Sequence, residues 1–161
     1  MDTAIQRTSP LLINETPMQF LPALACGVGV NGALFAQQLH YCLQDSQDWF
    51  DGRPWVYYTF EEWNLQFPFW SKNTIRRIIK DLQSVTINGN TYRILLIGHS
   101  ANKLDHRCCY TLDYDELDRL VPVATLLLQD KQRSIASKSI SIKKNLSTLS
   151  RQFPALATSS E

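Results

Sequence analysis

The chain has 161 residues, 44% of them hydrophobic and 19% charged, which is enough for one packed domain and too apolar for wholesale disorder. Sixteen Lys and Arg against 15 Asp and Glu leave a net charge of +1, so the chain is not basic throughout. No positive N-terminal region precedes an apolar core, the longest apolar run (120–128) contains Pro122, and none of the four cysteines form a Cys-x-x-Cys pair. A secretory leader, a membrane span and a disulfide framework are therefore not expected, and a reduced cytoplasmic setting is.

Residues 1–10 read as a loose lead-in and 11–13 as a short strand. Thr16-Pro17 reads as a cap and first helical residue, with Phe20, Leu21, Leu24 and Ala25 at helical spacing and Gly27 and Gly29 as a left-handed stop. Pro22 is early enough to be tolerated and able to shift that start. A second helix runs from a cap at Asn31 to about Leu43, with Phe35, Leu39, Cys42 and Leu43 as its apolar stripe. Residues 45–53 read as a polar loop with a turn at Asp51-Gly52. Trp55 to Tyr58 is aromatic and β-branched, hence a strand.

Thr59-Phe60-Glu61-Glu62 spells a capping box for a short helix that Pro68 stops. Ser71 caps the next helix after a tight Phe67-Pro68-Phe69-Trp70 connection, so two helices meet across a short turn. At 100° per residue, Ile75, Ile78, Ile79 and Leu82 of this helix fall on one side, and Asn73, Arg76, Arg77 and Lys80 on the other. Residues 85–87 and 92–94 flank Asn88-Gly89-Asn90, a hairpin-like turn. Strands at 94–97 and 108–112 enclose a polar loop with His99, Asn102, Lys103, His106 and Arg107, a candidate wing. A short helix is expected at 114–120. From about residue 130 Ser, Lys and isolated Ile dominate, which reads as a tail. Within it Ile142, Leu146, Leu149 and Phe153 follow i, i+4, i+7, i+11, a segment suited to become helical on a partner or a second copy. The division is thus a lead-in (1–10), a winged-helix domain (11–128) and a basic Ser/Lys-rich tail (129–161). The class expected is α+β: a mainly helical winged helix-turn-helix with a small antiparallel sheet as its wing, and a disordered or partly helical C-terminal tail.

Charge is unevenly placed. Residues 70–112 hold 7 basic and 2 acidic side chains, while residues 1–69 hold 2 basic and 7 acidic. A basic block inside an acidic surround is a local electrostatic footprint for an anionic partner. An α-helix fits the major groove of DNA, where Arg bridges guanine O6 and N7 and Asn pairs with adenine. The basic face of the 71–83 helix suits that role, with Ser71 and Thr74 placed for phosphate contact. The plain alternative is a solvated helix face. Lys103 and Arg107, with His99 and Asn102, are candidates for groove or phosphate contact from the wing, or form an ordinary polar loop.

Trp55, Tyr57, Tyr58, Trp63, Phe67, Phe69 and Trp70 offer stacking surfaces for single strands, but their positions beside element boundaries favour the core. His99, His106, Cys108 and Cys109 cluster in sequence; adjacent cysteines on a strand face opposite sides, so no zinc site is expected. No phosphate-loop or nucleophile-elbow motif occurs. Neither an enzyme, a metal nor a cofactor is expected.

The strings Leu12-Ile13-Asn14-Glu15, Ala36-Gln37-Gln38-Leu39-His40-Tyr41, Asp51-Gly52-Arg53-Pro54-Trp55-Val56-Tyr57, Gln66-Phe67-Pro68-Phe69-Trp70-Ser71 and Thr74-Ile75-Arg76-Arg77 resemble phage and plasmid replication proteins of Gram-positive bacteria. So does the closing Tyr110-Thr111-Leu112-Asp113-Tyr114. These are replisome organisers and initiators whose winged-helix domain is similar to the DnaD N-terminal domain, and the resemblance covers roughly residues 11–120. It implies a self-associating winged helix that binds origin DNA through Ser71, Lys72, Asn73, Thr74, Arg76, Arg77 and Lys80. The 85–93 stretch is longer than the family's usual link into the wing. A Ser/Lys-rich tail stands where larger members carry a second helical domain, so DNA binding is expected rather than helicase loading.

The partners expected are double-stranded DNA, a second copy through the early helices or the 120–128 run, and a replication protein through the tail. A transcriptional regulator on the same scaffold and a winged helix that contacts only protein are the alternatives.

Overall fold

The computed structural model describes residues 17–99 and 107–152. The predicted lead-in, the strand at 11–13, the Thr16 cap, Asn102, Lys103, His106 and Phe153 lie outside the described residues.

The first helix, α1, spans Pro22–Gln44. It starts five residues later than Thr16-Pro17 suggests. Leu21 is extended (φ −86°, ψ 133°), the conformation favoured in the residue before a proline, and Pro22 supplies a preset φ to the first turn. The predicted stop falls at Gly29 (φ 79°, ψ 161°), whose non-helical backbone kinks α1 into two helical segments, as expected. Beyond the break, Ala33, Phe35, Ala36, Leu39 and Leu43 are buried.

The expected 45–53 loop instead contains strand β1 (Asp48–Phe50), which pairs antiparallel with β2 (Arg53–Tyr58). Asp51 (φ 54°) and Gly52 (φ 69°) both lie in the left-handed region, as the favoured two-residue hairpin turn requires. β1 is an exposed edge, so its composition is that of a loop. It is held by the Phe50 ring stacked on Trp55 at 4.4 Å, and by Trp55 Nε1–H donating to the Phe50 carbonyl at 3.2 Å.

Helix α2 (Phe60–Gln66) opens on the predicted capping box, with both reciprocal bonds present. Helix α3 (Lys72–Gln83) follows, capped by Ser71. β3 (Val85–Ile87) and β4 (Asn90–Tyr92) form a hairpin turning on Asn88 (φ 51°) and Gly89 (φ 79°). It accounts for the long 85–93 stretch. β5 (Leu95–His99) and β6 (Cys108–Leu112) pair antiparallel, and β6 lies between β5 and β2. The main sheet runs β1-β2-β6-β5, antiparallel throughout.

Helix α4 (Tyr114–Gln152) has 39 residues. It corrects the short helix expected at 114–120, and it runs without interruption through residue 129, where the tail was expected to begin. Pro122 removes one N–H bond to the preceding turn, yet the helix continues. In the Ser-rich half, the hydroxyls of Ser137, Ser139 and Ser141 donate to carbonyls four residues back, a way for serine to be carried inside a helix.

The core lies where α1, α2, α3 and the sheet converge. Trp63 and Phe67 of the α2 segment are fully buried against Phe35 of α1, at ring-centroid distances of 4.8 and 5.5 Å. Tyr110 of β6 meets Trp63 edge-on at 5.5 Å. Burial pushes the Tyr110 phenol well above its ordinary range. α4 joins through Leu117, Leu120 and Ala124. The fold is α+β, with four helices and small antiparallel sheets among the described residues.

Candidate nucleic-acid interface

α3 is two-faced because its sequence is. Ile75, Ile78, Ile79 and Leu82 are at most 4% exposed, and Lys72, Asn73, Arg76, Arg77 and Lys80 are all exposed. Burying the four aliphatics turns the opposite side chains to water. α2 and the connection hold α3 in place. Asn64 Nδ2 donates to the carbonyls of Phe67 (3.2 Å) and Trp70 (2.7 Å), and the Trp70 N–H donates to the Phe67 carbonyl at 3.1 Å. The Phe67 ring stacks on Trp70 at 4.6 Å. The turn is thus closed by one amide side chain and one aromatic pair.

Ser71 Oγ accepts from the Thr74 N–H at 3.1 Å and shares a hydroxyl–hydroxyl hydrogen bond with Thr74 at 2.9 Å. Both residues act first as the helix cap, and Thr74 is half-buried. Lys72 is ion-paired with Glu61 of α2, and that hydrogen bond holds the Glu61 carboxyl below its ordinary value. Arg76 donates to Asn73 Oδ1 at 3.0 Å and places its guanidinium 4.6 Å from the centre of the Phe60 ring. A guanidinium over an aromatic face is held in a plane. Arg77 and Lys80 are exposed and make no hydrogen bond or ion pair among the described residues. The face therefore presents one fixed guanidinium, two uncommitted cations and an amide.

Arg107 stands at the foot of β6 with its guanidinium 5.8 Å from the Tyr57 ring centre. His99 ends β5, with Nδ1 3.9 Å from Cys108 Sγ. Cys109 is buried, which pushes its thiol up. Among the described residues no three His, Cys, Asp or Glu side chains converge as metal ligands. Of the aromatic residues expected in the core, Trp55, Trp63 and Phe67 are buried. Phe69 is 60% exposed, a correction to that expectation, because it sits at the outer corner of the turn.

Three residues that shape this face were not singled out from the sequence as part of it. Asn64 locks the turn, Phe60 carries Arg76, and Glu61 neutralises Lys72. Phe60, Glu61 and Asn64 lie in another helix, and nothing in their spacing relative to α3 announces the contact. Among the described residues no helix is long and apolar enough to cross a membrane. Compared with models of protein families, with curated proteins and with solved structures, the chain shows no significant match.

Proposed function

We propose that this protein is a winged-helix DNA-binding protein that lays the exposed face of α3 in the major groove of duplex DNA. The observation that carries the reading is that face. Asn73, Arg76, Arg77 and Lys80 share it, its opposite side is buried, and Arg77 and Lys80 have no hydrogen-bond or ion-pair partner among the described residues. Arginines and an asparagine on one helical face are the residue types that read base edges, and lysine neutralises phosphate. The order of elements supports the winged helix. Helix α1 and strand β2 precede the α2–α3 pair, and the return strand β6 of the following hairpin lies between β2 and β5. In this reading β5 and β6 are the walls of the wing, and Arg107 is its first basic residue on the return strand.

The role proposed for that binding is replication initiation of a phage, plasmid or other mobile element. It rests on the resemblance carried by the Gln66–Ser71 and Thr74–Arg77 strings. No catalytic step is assigned to the chain.

The test is fluorescence anisotropy of the full chain with labelled duplex and single-stranded DNA across a salt series. Wild type is compared with Arg77→Ala/Lys80→Ala. Binding through phosphates falls linearly on a log–log salt plot; losing the Lys80 phosphate contact reduces the slope by about 0.9 on duplex DNA, and losing Arg77 weakens affinity further. A weak, salt-independent signal that is the same in both proteins overturns the reading and leaves the basic face to a protein partner.

A further inference from the structure

We infer that α4 is a self-association helix, and that two copies of the chain pair their α4 helices antiparallel. The geometry begins with a column of apolar residues. Tyr114, Val121, Leu128, Ile135, Ile142 and Leu149 stand seven residues apart along the whole helix. Leu128 is half-buried and the other five are between 41% and 65% exposed. The helix spends mainly other residues on its own domain: Leu117, Leu120 and Ala124 pack on the core, and of the column only Tyr114 has a side-chain bond to it among the described residues, between its hydroxyl and His40 Nδ1 at 2.9 Å. A seven-residue apolar repeat suits a partner that is itself a helix, because only supercoiling keeps such a column in contact over several turns. Leu146 adds to the same side, while Asp118, Thr125, Gln132 and Ser139 at the equivalent positions are polar, which favours a dimer of moderate strength.

Two further observations say what covers the column. First, residues 130–152 of α4 are exposed throughout. Serine and β-branched isoleucine, which recur through this stretch, are weak helix formers, and most helical stability in proteins comes from packing of an apolar face. A continuous helix there is better supported by a partner than by its own propensity. Second, the charge along α4 is polarised. Its first half holds Asp115, Glu116 and Asp118 against Arg119. Its second half holds Lys131, Arg133, Lys138, Lys143, Lys144 and Arg151 against Asp130. Asp115, Asp118, Lys138, Lys143, Lys144 and Arg151 have no ion-pair partner among the described residues. A parallel pair sets six cations beside six. An antiparallel pair sets the basic half of one copy along the acidic half of the other. At that acidic end an apolar pocket of about 240 Å³ opens between α1 and α4. It is lined by Leu21, Leu24, Leu117, Leu120 and Ala124 and meets the column at Val121. The occupant that matches apolar period, charge and pocket together is a second copy of this chain.

The experiment is sedimentation equilibrium of the full chain, with wild type, Ile142→Asp and Ile140→Asp. Ile140 is as exposed as Ile142 (62% against 59%), but lies roughly 150° round the helix from the column. Neither side chain is part of the packed core, so both variants keep the fold; tryptophan fluorescence checks this. The wild type is expected to dimerise reversibly in the micromolar range. I142D raises the dissociation constant about tenfold or more, the equivalent of about 1.4 kcal/mol, and I140D leaves it nearly unchanged. Raising salt from about 0.05 to about 0.5 M loosens an antiparallel dimer, because attraction between opposite charges is screened. A wild type that stays monomeric at about 200 µM, far above a micromolar dissociation constant, overturns the proposal. So does an I140D variant as disruptive as I142D. A dimer that tightens with salt overturns the antiparallel pairing. None of these outcomes touches the DNA-binding reading, which is measured separately with α3 variants.

Discussion

At the scale of single residues, the basic face of α3 is more ordered than its charge suggests. Lys72 leans on Glu61, and Arg76 lies on Phe60 and holds Asn73. Of the cations on this face, only Arg77 and Lys80 have no partner among the described residues. This has a measurable consequence at Glu61. Its carboxyl is held below the ordinary value chiefly by the Lys72 hydrogen bond. The ionised form is therefore favoured in the fold, and any stability it lends is present above the free carboxyl value and lost as pH falls through the lowered one. An NMR titration of the side-chain carboxyl is expected to give a midpoint below that of an unperturbed glutamate. Lys72→Ala is expected to move that midpoint up toward the unperturbed value. An unchanged midpoint in the variant means that the pair does not form in solution. Much of this scale was legible beforehand. Thr59 and Glu62 spell their own reciprocal cap, and Ser71 its own, because both bonds are local. Glu61 to Lys72 was not legible. The pair spans eleven residues and a turn, and depends on how α2 is set against α3.

At the scale of elements, backbone chemistry explains where sequence and structure agree and where they part. The period of α3 fixes both its faces. Asn88-Gly89 and Asp51-Gly52 both supply the two left-handed residues of a tight hairpin, so both turns lie where the dipeptides stand. β1 was hidden because an edge strand with no buried residue has no alternation to display. The two helices expected on either side of Gly27 and Gly29 are the two segments of α1. Only Gly29 leaves the helical region, and the chain resumes the helix beyond it. Its φ of 79° with ψ of 161° is a conformation that is essentially glycine's alone. Beyond its chain neighbours and the helix's own backbone, no atom of the described residues lies within 4 Å of where a Cβ would be placed. Gly29→Ala therefore tests backbone strain without a clash. It is expected to cost about 1–3 kcal/mol, read as a lower urea midpoint at unchanged slope. An unaltered midpoint would mean that α1 straightens through residue 29 at no cost.

At the scale of the whole molecule, the chain divides by packing more sharply than by sequence. Phe35, Trp63, Phe67, Ile75 and Tyr110 form one enclosed core. The second half of α4 leaves that core and touches none of it. Protection from hydrogen exchange tracks enclosure and cooperative unfolding. In dilute solution, amides of residues 133–152 are expected to exchange close to the free rate. Amides near Phe35, Trp63, Ile79 and Tyr110 are expected to exchange only through global unfolding. Protection of 133–152 that persists undiminished on dilution would show that the helix is stable by itself. It would also remove one argument for its pairing.

The amino-acid sequence by itself determined whatever is decided within a few residues. Capping boxes, hairpin dipeptides, the two faces of α3 and the breaking power of proline act through bonds and periodicities of one or two turns, and all are written in order along the chain. The tertiary structure alone decided what distant segments do to each other. It buried Trp63 and Phe67 but left Phe69 outside, set Glu61 on Lys72 and Phe60 under Arg76, slotted β6 between β2 and β5, and left Ile135, Ile142 and Leu149 of α4 exposed. Those outcomes depend on how whole faces are matched across the core, and packing complementarity between faces has no signature in any local stretch of sequence.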